Sequence, residues 1–166
     1  MSSNPYYADD RHKTIIGLRL LSIATSLPVF PALAWAMSAH SDVFNDGVGI
    51  GLIPGVVAGT AYAFLWSCIV LVIHLAFRKP IHPGIYLAFD FIAFGLLASV
   101  TILMIIFIEP FLNSAYSCES GSSCKGEALR RVEWFEAVMA LICCATHFVL
   151  FVWACWATDK DRKSKK

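Results

Sequence analysis

The sequence predicts an all-α integral membrane protein, an up-down bundle of four transmembrane helices. Three observations predict it. The 166-residue chain is 58% hydrophobic and only 15% charged, with a mean hydropathy of +0.66. That leaves too little polar surface for a soluble domain of this size. Four apolar stretches, at about 15–39, 50–77, 85–108 and 134–157, are each long enough to cross ~30 Å of hydrocarbon. The polar residues collect between these stretches and at the ends, so 15–157 reads as one transmembrane domain between a tail at 1–14 and a basic tail at 158–166.

The first tail is short and polar, with Arg11 and Lys13 just before the membrane. The first apolar stretch is longer than the core of an ordinary signal peptide, so it reads as a retained helix. Pro28 and Pro31 predict a kink in it, and neighbouring helices can re-satisfy the freed carbonyls. The loop at 39–49 carries Asp42 and Asp46 and neither Lys nor Arg. The second stretch repeats a small residue at every fourth position: Gly47, Gly51, Gly55, Gly59, Ala63, Ser67. Four residues are little more than one helical turn, so from Gly51 to Ser67 these positions form a groove that admits another helix closely. The groove is expected to be either an internal seam or a lateral docking face. Pro54 falls in the first turns of this helix, where proline is best tolerated.

The turn RKPIHPG leads into the third stretch, which is expected to end near Glu109 and Pro110. A longer polar loop follows, holding Cys118 and Cys124. The charged run from Lys125 reads as an amphipathic start to the fourth helix, and Glu133 and Glu136 there suit its dipole. The basic tail is expected to be unstructured.

Four crossings place both termini on one side. That side carries Arg11, Lys13, Arg78, Lys79, Lys160, Arg162, Lys163, Lys165 and Lys166, against Lys125, Arg130 and Arg131 on the other. The positive-inside rule then makes both termini cytoplasmic, in the plasma membrane or an endomembrane. Trp35 and Trp134 fit the outer interface, and Tyr86, Trp153 and Trp156 the inner one. Beyond membrane lipids in general, the basic tail should attract anionic inner-leaflet lipid, at about 1 kcal/mol per basic residue.

Ionisable residues inside apolar stretches are the first functional candidates. Arg19, His74 and Asp90 each lie a few residues from the inner end of their helix, which puts them in one polar layer. Arg19 and Asp90 are expected to face each other with His74 nearby, since a buried charge needs a partner. Such a layer either fixes helix register or forms a proton relay or substrate site. Arg19 is also long enough to snorkel to lipid phosphates. His147, near the middle of the fourth helix beside Cys143, Cys144 and Thr146, is read as neutral and bonded to a backbone carbonyl or a hydroxyl. Cys68, Cys143 and Cys144 read as small packing residues. Cys155, near the inner end, is a candidate for lipidation. Cys118 and Cys124 are expected to form a disulfide closing the loop CESGSSC. No CxxC, phosphate loop, HExxH or GxSxG occurs, so no metal or cofactor site is expected, and the basic residues sit only in short tails and loops, which argues against nucleic-acid binding.

The arginine of GLRLLSIATSLP, the aspartate of YLAFDFIAFGLLASV and the loop cysteines before CKGEALRRVEWFEAVMALICCATHFVLFVW resemble MARVEL-type tetraspans, notably fungal ones. The resemblance spans about residues 11–158. It implies a non-enzymatic protein that organises membrane domains or vesicle trafficking through lipid and helix contacts, alone, as a homo-oligomer or with a partner membrane protein. Arg19 and Asp90 would be its intramembrane polar positions, and Cys118 and Cys124 its loop cysteines. The RRVEWFE opening of the fourth helix, the glycine ladder and the two prolines depart from that pattern. The alternative is a small membrane-embedded enzyme, or enzyme subunit, acting on a lipid-soluble substrate through Arg19, His74 and Asp90. A channel is disfavoured because no stretch carries a regular polar stripe to line a pore.

Overall fold

The structure is a computed structural model and describes residues 13–43, 53–77, 82–115 and 125–164. These residues are helical throughout, apart from one proline turn and one residue that caps a helix. Helix α1 spans Lys13–Ser26, α2 Val29–Val43, α3 Ile53–Val72, α4 Pro83–Ala115 and α5 Lys125–Ser164. They form four spans long and apolar enough to cross a membrane: Lys13–Ala39, Pro54–Ala76, Gly84–Ile106 and Glu127–Lys160. The chain is therefore a multi-pass, all-α membrane bundle.

The first span is two helices because Pro28 interrupts it. Proline has no N–H to donate and its ring crowds the preceding turn, so the ladder stops at Leu27 N–H to Ile23 O and resumes with Ala32 N–H to Pro28 O. Pro31 is harmless in the first turn of α2, as Pro54 is in that of α3. The last turn of the second span, Ile73–Phe77, widens to a π-helix. His82 caps α4: its Nδ1 accepts from Gly84 N–H at 3.1 Å, and its carbonyl accepts from Ile85 N–H.

Each helix buries one stripe. On α1 it is Ile15, Arg19, Ser22 and Ser26; on α4 it is Tyr86, Asp90, Ala93, Leu97, Thr101 and Met104. Steps of three and four keep these residues on one helical face. Neighbouring spans touch in a ring, α1 and α2 against α5, α5 against α4, α4 against α3, and α3 back against α1. The opposite faces carry exposed Leu, Ile, Val and Phe, as a lipid-facing surface requires.

Gly55, Gly59, Ala63 and Ser67 line the inside of this ring. A Cβ at Gly59 would stand 3.7 Å from Leu97 and 3.8 Å from the backbone of Leu96. Ala63 packs in one cluster with Ala93, Leu97, Cys143 and Cys144. This part of the groove is an internal seam against α4 and α5. Gly47 and Gly51 lie outside the described residues.

Several boundaries differ from expectation. Helix α4 continues through Pro110 to Ala115, and α5 runs unbroken over 40 residues to Ser164. The tail after Thr158 is thus helical as far as Ser164, where Lys163 pairs with Asp159 one turn away at 2.6 Å. Tyr86 is buried and is no interface anchor, whereas Trp35, Trp134 and Trp156 are exposed. Glu133 and Glu136 lie two to three turns into α5, too deep for the dipole to favour them, and the first-turn acid is Glu127. The expected disulfide is corrected as well. No cysteine pair stands at bonding distance among the described residues, where Cys68, Cys143, Cys144 and Cys155 are free thiols. Cys118 and Cys124 lie outside the described residues. The described cysteines all sit on helices, Cys143 and Cys144 buried, Cys68 half-buried and Cys155 exposed, rather than on a loop able to close on itself.

Candidate functional site: a polar centre shared by all four spans

Asp90 is the hub. Its two oxygens receive four donors. Arg19 grips it with both terminal nitrogens, Nη1 to Oδ1 and Nη2 to Oδ2, each at 2.6 Å. Trp66 Nε1 donates to Oδ1 at 3.0 Å, and His147 Nδ1 reaches the same oxygen at 3.0 Å. The parallel Arg–carboxylate fork is the strong, orientation-specific form of ion pair. Arg19 is 1% and Asp90 0% exposed, so Arg19 does not snorkel.

The chain of bonds continues through His147. Its Nε2 stands 3.0 Å from Ser22 Oγ. Ser67 Oγ donates to Ser22 Oγ at 3.1 Å, which leaves the Ser22 proton free to point at Nε2. With Nδ1 donating to the carboxylate, this assigns the tautomer of His147. Cys143 Sγ lies 3.5 Å from Ser22 Oγ and 3.6 Å from Ser26 Oγ. Ser26 Oγ also bonds back to the Ser22 carbonyl at 2.7 Å, a contact that favours bending of α1 just before Pro28.

Aromatic rings wall the centre on its terminal side. The Arg19 guanidinium lies 5.7 Å from the Trp66 ring centroid and 5.8 Å from that of Tyr86. Trp66 stacks on Phe89 at 4.4 Å, which holds its indole N–H toward Asp90. Every span contributes: α1 gives Arg19 and Ser22, α3 Trp66 and Ser67, α4 Asp90, and α5 Cys143 and His147. Arg19 and Asp90 sit on spans that are diagonal in the ring, and the long Arg side chain bridges them.

The structure brings Arg19 and Asp90 together and leaves His74 one step away. His74 Nε2 is 2.6 Å from Tyr86 Oη, and Tyr86 precedes Asp90 by one turn of α4. The place expected for His74 beside the ion pair belongs to His147. Two partners of the pair, Trp66 and His147, and the two serines beyond His147, Ser22 and Ser67, do not follow from the sequence reading. Their signal was present: Ser22 follows Arg19 by three residues and so shares its face, and Ser67 lies on the small-residue stripe. Cys155 is exposed near the terminal end of α5.

A second buried polar group lies toward the other end of α5. Glu136 is 1% exposed and neither of its oxygens has a hydrogen-bond partner among the described residues; Glu133, one turn earlier, is also buried. Among the described residues no group of three His, Cys, Asp or Glu is placed to hold a metal ion.

No family model, curated protein or solved structure matches the chain. What stands of the tetraspan resemblance is therefore its architecture, a compact and largely hydrophobic bundle of four membrane-spanning segments around a buried polar network.

Proposed function

We propose that this protein is a small membrane-embedded enzyme, or the membrane subunit of one, acting on a lipid-soluble ester or thioester at the centre of Asp90, His147 and Ser22. One observation carries the reading: carboxylate, imidazole and hydroxyl stand in line at 3.0 Å per step. That order of groups activates a hydroxyl for attack on a carbonyl. In such a reaction Ser22 Oγ bonds to the acyl carbon while its proton passes to His147 Nε2. The leaving alcohol or thiol takes that proton as its bond to carbon breaks. Asp90 holds the ring in the required tautomer, and Arg19 and Trp66 hold Asp90. Cys143, beside Ser22, is a second nucleophile within reach of the same chain.

The test uses purified full-length protein in nanodiscs and a long-chain alkyl fluorophosphonate. The expected result is a stoichiometric adduct on Ser22, lost in Ser22→Ala and His147→Gln and kept in Ser26→Ala, with each variant shown to be folded by circular dichroism. No adduct in the wild type, or one that survives both substitutions, overturns the proposal.

A second reading is favoured by a different observation. Ser22, Ser67, Asp90 and His147 are each 0% exposed. On this reading the centre is a lock that fixes four spans in one arrangement, and the protein organises a membrane region through lipid and helix contacts. It predicts no adduct, and a large loss of stability in the same variants. In both readings the termini are cytoplasmic, as the distribution of Lys and Arg favours.

A further inference from the structure

We propose that the cleft between α1 and α5 is a binding site for one anionic phospholipid of the leaflet that faces the termini. The cleft is open along one side and has a volume of about 310 Å³. Its inner walls are Ile15 and Leu18 on α1, and Val149, Leu150 and Trp153 on α5. Ile15 and Leu150 are nearly inaccessible, so they form its floor, while Val149 is half exposed at its rim. Such a slot, opening sideways from two membrane-spanning helices, suits a stretch of acyl chain.

The terminal end of the slot has a different chemistry. Thr14 and Trp156 line it there. Lys13 precedes Thr14 and is exposed. Lys160 stands 5.0 Å from the ring centroid of Trp156, the same residue that closes the cleft. Both lysines lie on the terminus-facing parts of their helices, α1 and α5, beyond the apolar slot, on the side where basic residues meet lipid headgroups. Asp159, the acid next to Lys160, is engaged by Lys163 at 2.6 Å. An apolar slot continuous with a hydroxyl and two lysines at headgroup depth matches an anionic phospholipid better than a neutral one.

The site uses neither Ser22 nor His147, so it stands or falls apart from the catalytic reading. It is tested with the full chain in nanodiscs of phosphatidylcholine and phosphatidylserine, followed by native mass spectrometry under gentle release. One retained phosphatidylserine is expected, with at least a fivefold preference over phosphatidylcholine. The double variant Lys13→Gln/Lys160→Gln should bring the preference below twofold with an unchanged melting temperature. Leu18→Phe should reduce retention of either lipid by filling the slot. Ser22→Ala should retain phosphatidylserine as the wild type does. Equal retention of the two lipids by the wild type, a preference that survives the double lysine variant, or a second copy of the chain in place of lipid overturns the proposal.

Discussion

Replacing Asp90 with Asn is the sharpest single perturbation of this molecule. Four donors converge on two carboxylate oxygens. An amide keeps one oxygen and turns an NH₂ group on at least one of those donors. Arg19 then remains buried, its Nε–H already without an acceptor among the described residues, and faces a neutral neighbour. Removing one partner of a buried ion pair costs about 3–5 kcal/mol. Single polar contacts between helices in lipid average nearer 0.6 kcal/mol, with a maximum of about 1.7, but those values do not strand a charge. The charge decides, and Asp90→Asn is expected to cost about 3 kcal/mol, roughly a hundredfold in the folding equilibrium. The double variant Arg19→Met/Asp90→Asn removes both charges and should recover at least about 1.5 kcal/mol of that loss. The assay is reversible unfolding in mixed micelles, titrated with sodium dodecyl sulfate and followed by circular dichroism. A single variant within about 1 kcal/mol of wild type, or a double variant no better than the sum of its parts, refutes the reasoning.

Three further outcomes are expected. Gly59→Ala should be neutral or slightly stabilising, because its Cβ makes only ordinary contacts at 3.7 Å and beyond, whereas Gly59→Leu should cost about 1–3 kcal/mol by forcing α3 from α4; equal melting temperatures for the two would show that the seam is loose. Glu136→Gln should stabilise the bundle by about 1 kcal/mol, since it replaces a buried acid that has no hydrogen-bond partner among the described residues; a lower melting temperature would show that the carboxyl is needed as an acid. Epitope tags at the two ends should be cleaved together by protease added to the cytosolic face, and protection of either tag would overturn the assigned orientation.

Much of the architecture was legible because lipid leaves little choice: a run of twenty apolar residues must be a helix. The helix ends were less legible. The amphipathic start of α5 at Lys125 was legible from its charged run, but the turns at Thr158–Ser164 lack the apolar signal that marks a span, yet α5 includes them. Arg19 and Asp90 stood out as charges in apolar runs, and their separation of 71 residues did not hide them. His74 was placed beside them by counting residues from the apolar boundary. That count ignores the reach of Arg19, which carries the pair inward, and the single turn of α4, about 5.4 Å, between Tyr86 and Asp90. The same arithmetic left His147 too deep to be their partner. Ser22, Trp66 and Ser67 carry no charge, so it is the packing of α1 and α3 against each other and against α4 and α5 that gives them roles.

The sharing of Asp90 among all spans also bears on how the chain is made. Spans leave the ribosome one at a time, and Arg19 enters the membrane before its partner has been synthesised. It must wait for Asp90 on the third span, and Asp90 in turn lacks His147 until the fourth arrives. No pair or triplet of spans therefore completes the centre. A product cut short before His147 presents stranded polar groups inside the bilayer, the feature by which an insertion chaperone or a membrane protease could tell an unfinished chain from a finished one. Only the full-length chain conceals it.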